Sequence, residues 1–480
     1  KSYGIYVDRD LTEDGYTLLG GTGDEVSSHW LRIEEAADHP AGSKIEVGVT
    51  KDAAMPGKLI EIPQARHTFK YISMDYSDFE GFPPPLTNGG INEHQVAVRD
   101  IWSDSREELV EMTPAPQTGL QYSDEARIAL ERARTAREAT RLIGDLIDRY
   151  GHATYGGNSH LIADEKEGWV ILEFAGGKGL WVAERLGPDD VRMSYPGYIQ
   201  RIPVKCNDHP DFMCSDNFVE FAEKQGWWKP GRPFDVNKVY GAGWNYRTEP
   251  ASGKFVAPAT IENELKQKAP VSLTEFMETV RDPRISADRN GYGQVAQLRP
   301  GVDRDLVKLW VAPIGSVTSP FLPYHIGVQS VPPEFRQHRY LTKDSGSTFL
   351  NPKFARQEAT AFAGRLYKRL LYHTCTNPEK YYPEVHDALS AFERRLRQDQ
   401  PPVEQTAQTL IDAGKRDLAR RYLTEYSHTK AAEAMRIGEA LVDSIETRSK
   451  LDRDIPEPPA SEDINGGSSA IGGYVTCYRR

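Results

Sequence analysis

The sequence is poor in cysteine, has no long hydrophobic run and carries no excess of positive charge. Its 480 residues include four cysteines, which are too few for a disulfide scaffold. It contains no run of about 18 apolar residues, so we expect no transmembrane helix and no membrane partner. The net charge of -11 argues against the basic surface of a nucleic-acid-binding protein. The composition, 39% hydrophobic and 27% charged, is that of a globular protein.

Sequence patterns that bind metals or cofactors are also missing. The cysteines form no Cys-x-x-Cys pair and the histidines show no His-Glu-x-x-His spacing, so we expect no metal and no cofactor. The run Gly20–Gly23 is similar to a phosphate loop, but it lacks the Gly-Lys-Ser/Thr ending, and the acids Asp24 and Glu25 follow it. Ser159 and His160 are not expected to form a catalytic pair, because neighbours on a strand point to opposite faces.

The cellular compartment depends on how the cysteines are interpreted. Cys206 and Cys214 could close a small loop in an oxidising compartment, or they could be free and buried. No signal peptide is visible, and the sequence does not begin with Met. The loop and the missing Met favour a secreted or periplasmic protein over a cytoplasmic one.

The hydrophobic pattern predicts strands in the first part of the chain, a long helix, more strands, and then helices. Strand patterns occur at 2–7, 16–19, 44–49, 67–74, 159–163, 169–173, 180–183 and 308–312. Helical patterns occur at 124–149, 215–224, 261–282 and across 355–450, and 453–480 has the composition of an exposed tail. Tight turns between short strands favour antiparallel pairing, so the pattern predicts an α+β layered fold.

Several short segments, in a fixed order along the chain, carry a family resemblance. They are Tyr6-Val7-x-Arg9-Asp10-Leu11-Thr12-x-Asp14-Gly15, Asn88-Gly89-Gly90-x-Asn92-Glu93-His94, Leu161-Ile162-Ala163-Asp164-x-Lys166-Glu167-x-Trp169, Trp181-Val182-Ala183-Glu184-Arg185, Ser272-Leu273 to Met277 followed by Arg281-Asp282, and Leu423-Thr424-Glu425-Tyr426-Ser427. Together they resemble the dipeptidase A and secernin family of N-terminal-nucleophile (Ntn) cysteine-type dipeptidases.

The resemblance implies an αββα sandwich, in which two antiparallel sheets lie between helical layers. It implies a catalytic domain over 1–350, a helical C-terminal region over 351–452 packed on that domain, and a tail over 453–480. It also implies amide-bond hydrolysis without a metal, acting on small peptides through an acyl-enzyme intermediate. An N-acyl amide hydrolase of the bile-salt or penicillin acylase type is one alternative, and a non-catalytic binding or assembly protein is another. Homo-oligomers are also compatible with the family.

Three residues occupy positions that carry chemistry in this family. Ser2 takes the position of the nucleophile, Asp24 that of an acid contacting the terminal amine, and Asn92 that of an oxyanion-hole amide. Ser2 could instead be an ordinary surface residue, Asp24 a helix cap, and Asn92 a turn residue.

The chain departs from the family pattern at the predicted nucleophile. The family has Cys where Ser2 stands, and Gly20-Gly21-Thr22 lacks the arginine that related enzymes place nearby. Lys1 precedes Ser2, so the nitrogen of Ser2 is an amide unless Lys1 is removed. Three explanations stay open: an engineered Ser, a natural variant that trims Lys1, or a nucleophile in a segment upstream.

Overall fold

The first strand of the chain lies inside a sheet, between the strand that follows it in the sequence (17–22) and a strand from a distant part of the chain (191–194). The structure is a computed structural model that describes residues 2–24, 29–76, 79–251, 253–314, 316–338, 355–455 and 475–479. Lys1 and most of the predicted tail lie outside these residues.

The strands of the described residues are β1 (Tyr3–Val7), β2 (Thr17–Thr22), β3 (His29–Glu34), β4 (Ala37–Asp38), β5 (Lys44–Val47), β6 (Ile60–Pro63), β7 (His67–Thr68), β8 (Tyr71–Tyr76), β9 (Leu86–Asn92), β10 (Ala97–Trp102), β11 (Asn158–Ala163), β12 (Gly168–Glu173), β13 (Trp181–Leu186), β14 (Val191–Ser194), β15 (Arg201–Ile202), β16 (Phe212–Cys214), β17 (Phe234–Asp235), β18 (Tyr292–Leu298), β19 (Lys308–Pro313) and β20 (Leu322–His325). The helices are α1 (Glu107–Met112), α2 (Tyr122–Arg132), α3 (Ala136–Tyr150), α4 (Phe218–Lys224), α5 (Val236–Tyr240), α6 (Pro258–Lys268), α7 (Leu273–Val280), α8 (Ala355–Glu358), α9 (Ala363–Thr376), α10 (Pro378–Asp412) and α11 (Arg416–Arg453).

Two large antiparallel sheets form the centre of the fold. The first sheet has the strand order β14-β1-β2-β18-β19-β20, and the second has the order β16-β13-β12-β11-β10-β9-β8-β3. The sheets pack face to face, with β1 and β2 against β10 and β11, and with β18 and β19 against β9. Helices α2 and α3 cover the outer face of the second sheet, and α6, α7, α9 and α11 contact the first sheet. The predicted αββα sandwich is therefore confirmed.

Alternation along β1 determines which residues face the second sheet. A Cβ on Gly4 would lie 3.0 Å from the side chains of Ile101 and Leu161, so Gly4 faces the second sheet at close range. Tyr6 points the same way, because a Cβ on Gly168 would touch its ring. Side chains alternate along a strand, so the side chain of Ser2 lies on this inner face as well.

The helices of the C-terminal region share an apolar core with the first sheet. Buried residues of this core come from the sheet and from three helices: Trp310, Leu322, Leu366, Leu370, Leu389 and Val442. The predicted helical character of 355–450 is thus correct within the described residues. None of the helices in the described part of the chain combines the length and apolar character needed to cross a bilayer.

Two helices predicted as continuous are each divided in two. The predicted helix 124–149 is interrupted after Arg132, because Ala133 takes an extended conformation and Thr135 caps the next helix by accepting from the backbone N–H of Glu138. The predicted helix 261–282 is interrupted by Ala269 and Pro270, since a proline disfavours helical backbone at the residue before it.

All four cysteines form disulfides. Cys206 pairs with Cys214, which corresponds to the loop-closing alternative of the sequence analysis. Cys375 in α9 pairs with Cys477, a bridge that sequence spacing did not predict. This second bridge ties residues 475–479 to the helical region, and Arg479 adds a hydrogen bond of 2.8 Å to the carbonyl of Cys375.

Candidate active site

Ser2 lies at the start of β1, at one end of the cleft between the two sheets. It is 6% exposed. Tyr3 pairs with Thr22 in antiparallel register, so Gly23 lies across from Ser2. A Cβ on Gly23 would lie 2.1 Å from Oδ1 of Asn88, so glycine is required for the Asn88 amide to lie this close to the strand. Ser2 therefore has two close neighbours, the backbone of Gly23 and the side chain of Asn88 beyond it.

Asp24 follows Gly23 directly and is surrounded by positive charge. It forms a β-bridge with Asn290. Burial raises the pKa of its carboxyl, but nearby positive charges, including Lys254 and Arg289, outweigh burial and lower the pKa. Burial lowers the pKa of Lys254 to about 8, and Asp24 partly opposes that change. Asp24 is thus an ionised carboxylate one residue beyond Gly23, which lies across from Ser2, and a negative charge there is what the predicted contact with a terminal amine needs.

Asn92 lies at the other end of β9 and has a structural role. Its Nδ2 donates to the carbonyls of Leu130 and Ala133, at 2.9 and 2.8 Å, and thereby caps the end of α2. Its Oδ1 accepts from the backbone N–H groups of His94 and Val96, both at 3.0 Å. Both amide hydrogens are engaged on the helical side of the second sheet, so the structure does not support the predicted oxyanion role of Asn92.

Asn88, in contrast to Asn92, lies beside Gly23, the residue across from Ser2. The two residues belong to the same Asn-rich segment, separated by about 13 Å along the strand. Nδ2 of Asn88 donates to Oδ2 of Asp100 across 3.3 Å, and Oδ1 has no hydrogen-bond partner among the described residues. Burial raises the pKa of Asp100 to about 7, although the positive charge of His160 opposes this. The sequence offered two asparagines in this segment, and only their packing distinguishes them.

A buried arginine on β10 points into the same cleft and was missed by sequence reasoning. Arg99 is 1% exposed, and a Cβ added to Gly4 would lie 3.6 Å from the Cβ of Arg99. Its guanidinium donates to Oε1 of Gln294 at 2.8 Å and to the hydroxyl of Tyr292 at 2.7 Å. Within the described residues its Nε–H has no acceptor. The only signal in the sequence is a charged residue at a position where the strand pattern faces the interior.

Arg99 is held near the level of Ser2 by the register of the first sheet. Gln294 pairs with Gly21 of β2, so Tyr292 lies near the level of Gly23. Arg99, which belongs to the second sheet, thus supplies a positive charge in place of the arginine that is missing from residues 20–22. Such a fixed cation can stabilise a negative charge that develops in the cleft, because burial strengthens the interaction.

Comparisons with known proteins identify relatives of this chain. Residues 56–249 match the model of peptidase family C69. A probable dipeptidase B of Streptococcus pyogenes is 28% identical over 225 residues, which are 46% of this chain and 42% of that protein. A probable dipeptidase A of the same species is 30% identical over 137 residues, 28% of each chain. The matched segments thus span less than half of the length of these relatives.

The solved structures that align with this chain include two of another enzyme. One mutant of conjugated bile acid hydrolase from Clostridium perfringens aligns with a TM-score of 0.34 at 12% identity, covering 65% of this chain and 89% of that one. A second variant of the same hydrolase aligns with a TM-score of 0.36 at 11% identity, covering 68% and 93%. The family match over 56–249 and the named relatives show that this chain is similar to peptidase family C69 and to dipeptidases, which agrees with the resemblance carried by the ordered motifs of its sequence.

Proposed function

We propose that this protein hydrolyses the amide bonds of small peptides with Ser2 as the nucleophile. The observation that carries the proposal is the position of Ser2, buried at the start of an interior strand and facing the cleft between the sheets. The neighbouring Asp24, Asn88 and Arg99 supply a carboxylate, a side-chain amide and a cation. The relationship to dipeptidases supports peptides as the substrate class.

The proposed chemistry needs residue 2 to be the first residue of the active chain. Its α-amine, with a pKa of about 7.7–8.0 when unperturbed, then accepts the proton of the Ser2 hydroxyl. The Ser2 oxygen bonds to the substrate carbonyl carbon, the proton passes to the leaving nitrogen, and the C–N bond breaks to leave an ester. Water hydrolyses this ester by the same proton path. Asp24 orients the terminal amine in this scheme.

In the same scheme the tetrahedral oxyanion is stabilised by Asn88 instead of Asn92. Asn88 packs against Gly23, the residue across from Ser2, whereas the hydrogens of Asn92 are already used. Arg99 adds a positive charge whose orientation is fixed by Tyr292 and Gln294. Fixed donors of this kind typically contribute about 3–4 kcal/mol to transition-state stabilisation.

The test uses chains that begin at residue 2 and differ only there: the Ser2 chain, Ser2→Cys and Ser2→Ala. We expect Ser2→Cys to hydrolyse unblocked dipeptides fastest, because a thiolate is the stronger nucleophile near neutral pH. Ser2→Ala should show no hydrolysis above the blank. Retaining Lys1 should lower the rate by about 10²–10⁴-fold, because the general base is then an amide.

A parallel assay with N-acyl amino acids distinguishes the alternatives. If N-acyl amino acids are hydrolysed faster than dipeptides, Ser2 remains the proposed nucleophile, but the proposed substrate changes from small peptides to N-acyl amino acids. Equal rates for the Ser2, Cys and Ala chains would overturn the proposed mechanism and favour a non-catalytic protein.

A further inference from the structure

A second cluster of ionisable side chains is buried on the outer face of the second sheet, beneath α2. Its members are Glu125 of α2, His152 between α3 and β11, His160 of β11 and Glu173 of β12. All four are at most 4% exposed. They lie on the face of the sheet opposite to Arg99. The cluster borders the proposed site only through Asp100, which accepts from Asn88 and whose Oδ1 lies 3.9 Å from Nε2 of His160.

The orientation of the His160 ring is set by a backbone carbonyl. Its Nε2 lies 3.0 Å from the carbonyl oxygen of Tyr122, which can only accept, so Nε2 carries a hydrogen. Its Nδ1 lies 2.9 Å from Oε1 of Glu173 and 3.9 Å from Oε2 of Glu125. Nε2 of His160 thus donates to a backbone carbonyl, as the outer nitrogen of a metal-ligating histidine typically does, and Nδ1 is the nitrogen that faces the two carboxylates.

A second histidine, His152, orients the carboxylate of Glu125. Nδ1 of His152 lies 2.7 Å from Oε1 of Glu125, and this contact leaves Oε2 directed at His160. Among the described residues, Oε2 of Glu125 and Oε2 of Glu173 have no hydrogen-bond partner. A buried carboxylate oxygen without a partner is costly, so this cluster favours a cation that would contact both.

We infer that Glu125, His160 and Glu173 bind a divalent transition-metal ion. One ligand atom from each residue lies within 4.8 Å of the others, a separation that small side-chain rotations could reduce to fit around one ion. One imidazole nitrogen and two carboxylate oxygens suit Zn²⁺ or Mn²⁺, and the two carboxylates balance the charge of the ion. His152 and the Tyr122 carbonyl orient the ligands from outside.

The role of this ion would be structural. It would join the first turn of α2 to β11 and β12, adding to the pairing of the two strands, the apolar packing of α2 and the contact of His160 with the Tyr122 carbonyl. No spacing in the sequence predicted it, because the three ligands are 35 and 13 positions apart along the chain. This inference therefore contradicts the expectation from the sequence that the protein holds no metal.

The first test is the metal content of the full chain, purified without chelators from cells grown with added Zn²⁺ and Mn²⁺. We expect about one ion per chain by inductively coupled plasma mass spectrometry. Glu173→Gln and Glu125→Gln should lower the content at least tenfold, and His152→Gln should weaken the affinity about 10–100-fold. The matched control is Glu262→Gln, because Glu262 is 3% exposed but lies against β14 in the first sheet.

The second test measures thermal unfolding after the ion is stripped with dipicolinate. Adding ZnCl₂ or MnCl₂ should raise the Tm of the wild-type chain and of Glu262→Gln, and should leave the Tm of Glu173→Gln unchanged. Wild-type protein with less than about a tenth of an ion per chain, and with a Tm that neither salt changes, would overturn the inference. In that case a proton on His160 holds the two glutamates together. If the Gln variants fail to fold, the wild-type measurements decide alone.

Discussion

At the residue scale, the asparagines of the 88–92 segment show why the site was only partly predictable. The motif identified the segment correctly, but Asn88 and Asn92 have the same side chain and differ only in what packs against them. Asn92 is used to cap α2, and Asn88 lies against Gly23. Ser2 and Asp24 were assigned from the family resemblance, and the pairing of β1 with β2 brings Ser2 opposite Gly23, the neighbour of Asp24.

Replacing Asn92 tests its structural role. Asn92→Ala would leave the carbonyls of Leu130 and Ala133 without donors, so we expect a loss of about 2–4 kcal/mol in the free energy of unfolding. Urea denaturation followed by circular dichroism measures it. The folded fraction of this variant should keep its rate of peptide hydrolysis.

Replacing Asn88 is the matched comparison. Asn88→Ala removes a single side-chain hydrogen bond of 3.3 Å, so its stability should fall less than that of Asn92→Ala. On the proposed function its kcat should fall about 10²–10³-fold. The opposite result, with activity lost in Asn92→Ala and kept in Asn88→Ala, would restore the original assignment.

At the scale of elements, buried ion pairs attach the long helices to the first sheet. Glu404 of α10 contacts Lys308 at 2.9 Å and His325 at 2.9 Å, and it also pairs with Arg299. The sequence predicted helices over 355–450 but could not predict these pairs, because their partners are about a hundred residues away. The same limit applies to the break in the predicted helix 124–149, since α2 ends where Asn92 caps it. The break in the predicted helix 261–282 has a local signal, Pro270.

Glu404→Gln should destabilise the protein by about 3–5 kcal/mol at neutral pH, because Arg299 and Lys308 would lose their buried counter-charge. The control is Glu433→Gln, whose pair with the 60% exposed Arg395 is worth at most about 1 kcal/mol. Denaturant midpoints of both variants and the wild type measure the difference.

Acid should remove the contribution of Glu404. Burial raises the pKa of its carboxyl, but the hydrogen bonds from His325 and Arg299 and the charge of Lys308 lower it well below its ordinary value. A carboxyl with a depressed pKa stabilises the fold above its unfolded pKa of about 4.3, and this stabilisation is lost as the pH falls below that value. The wild type and Glu404→Gln should therefore converge in stability at acidic pH, which thermal melts between pH 7 and 3 would show. A constant difference would contradict this explanation.

At the scale of the whole molecule, the sheets and the C-terminal helices are expected to behave as one unit. The largest apolar core contains side chains of both sheets and of α9, α10 and α11, so it extends across the boundary proposed near residue 350. The αββα arrangement was predictable because its alternating strands and amphipathic helices are local patterns. The packing of the helical region against the sheets was not predictable, since it depends on contacts between distant segments.

Calorimetry should accordingly give one cooperative unfolding transition for the full chain. A chain that ends at residue 350 would expose the surface of β19 and β20 now covered by α9 and α11, and we expect it to be recovered as an aggregate. Two separate transitions, or a soluble and folded 1–350 fragment, would contradict this expectation.

Breaking the long-range disulfide should cost more than breaking the short one. Cys375 and Cys477 are separated by 102 positions, against 8 for Cys206 and Cys214. In the chain-entropy account a longer closed loop restricts the unfolded chain more, so Cys477→Ser should lower stability by about 2–4 kcal/mol and Cys214→Ser by less. Denaturation of the two variants under the same buffer conditions compares them.

The disulfide between Cys375 and Cys477 also affects how proteolytic cleavage of this protein would be detected. A protease that cut the backbone anywhere between these two residues would produce two pieces that still migrate as one band on a gel without reductant. The pieces would separate only after a thiol is added. Apparent integrity on a non-reducing gel is therefore no proof that the polypeptide is unbroken across its last hundred residues.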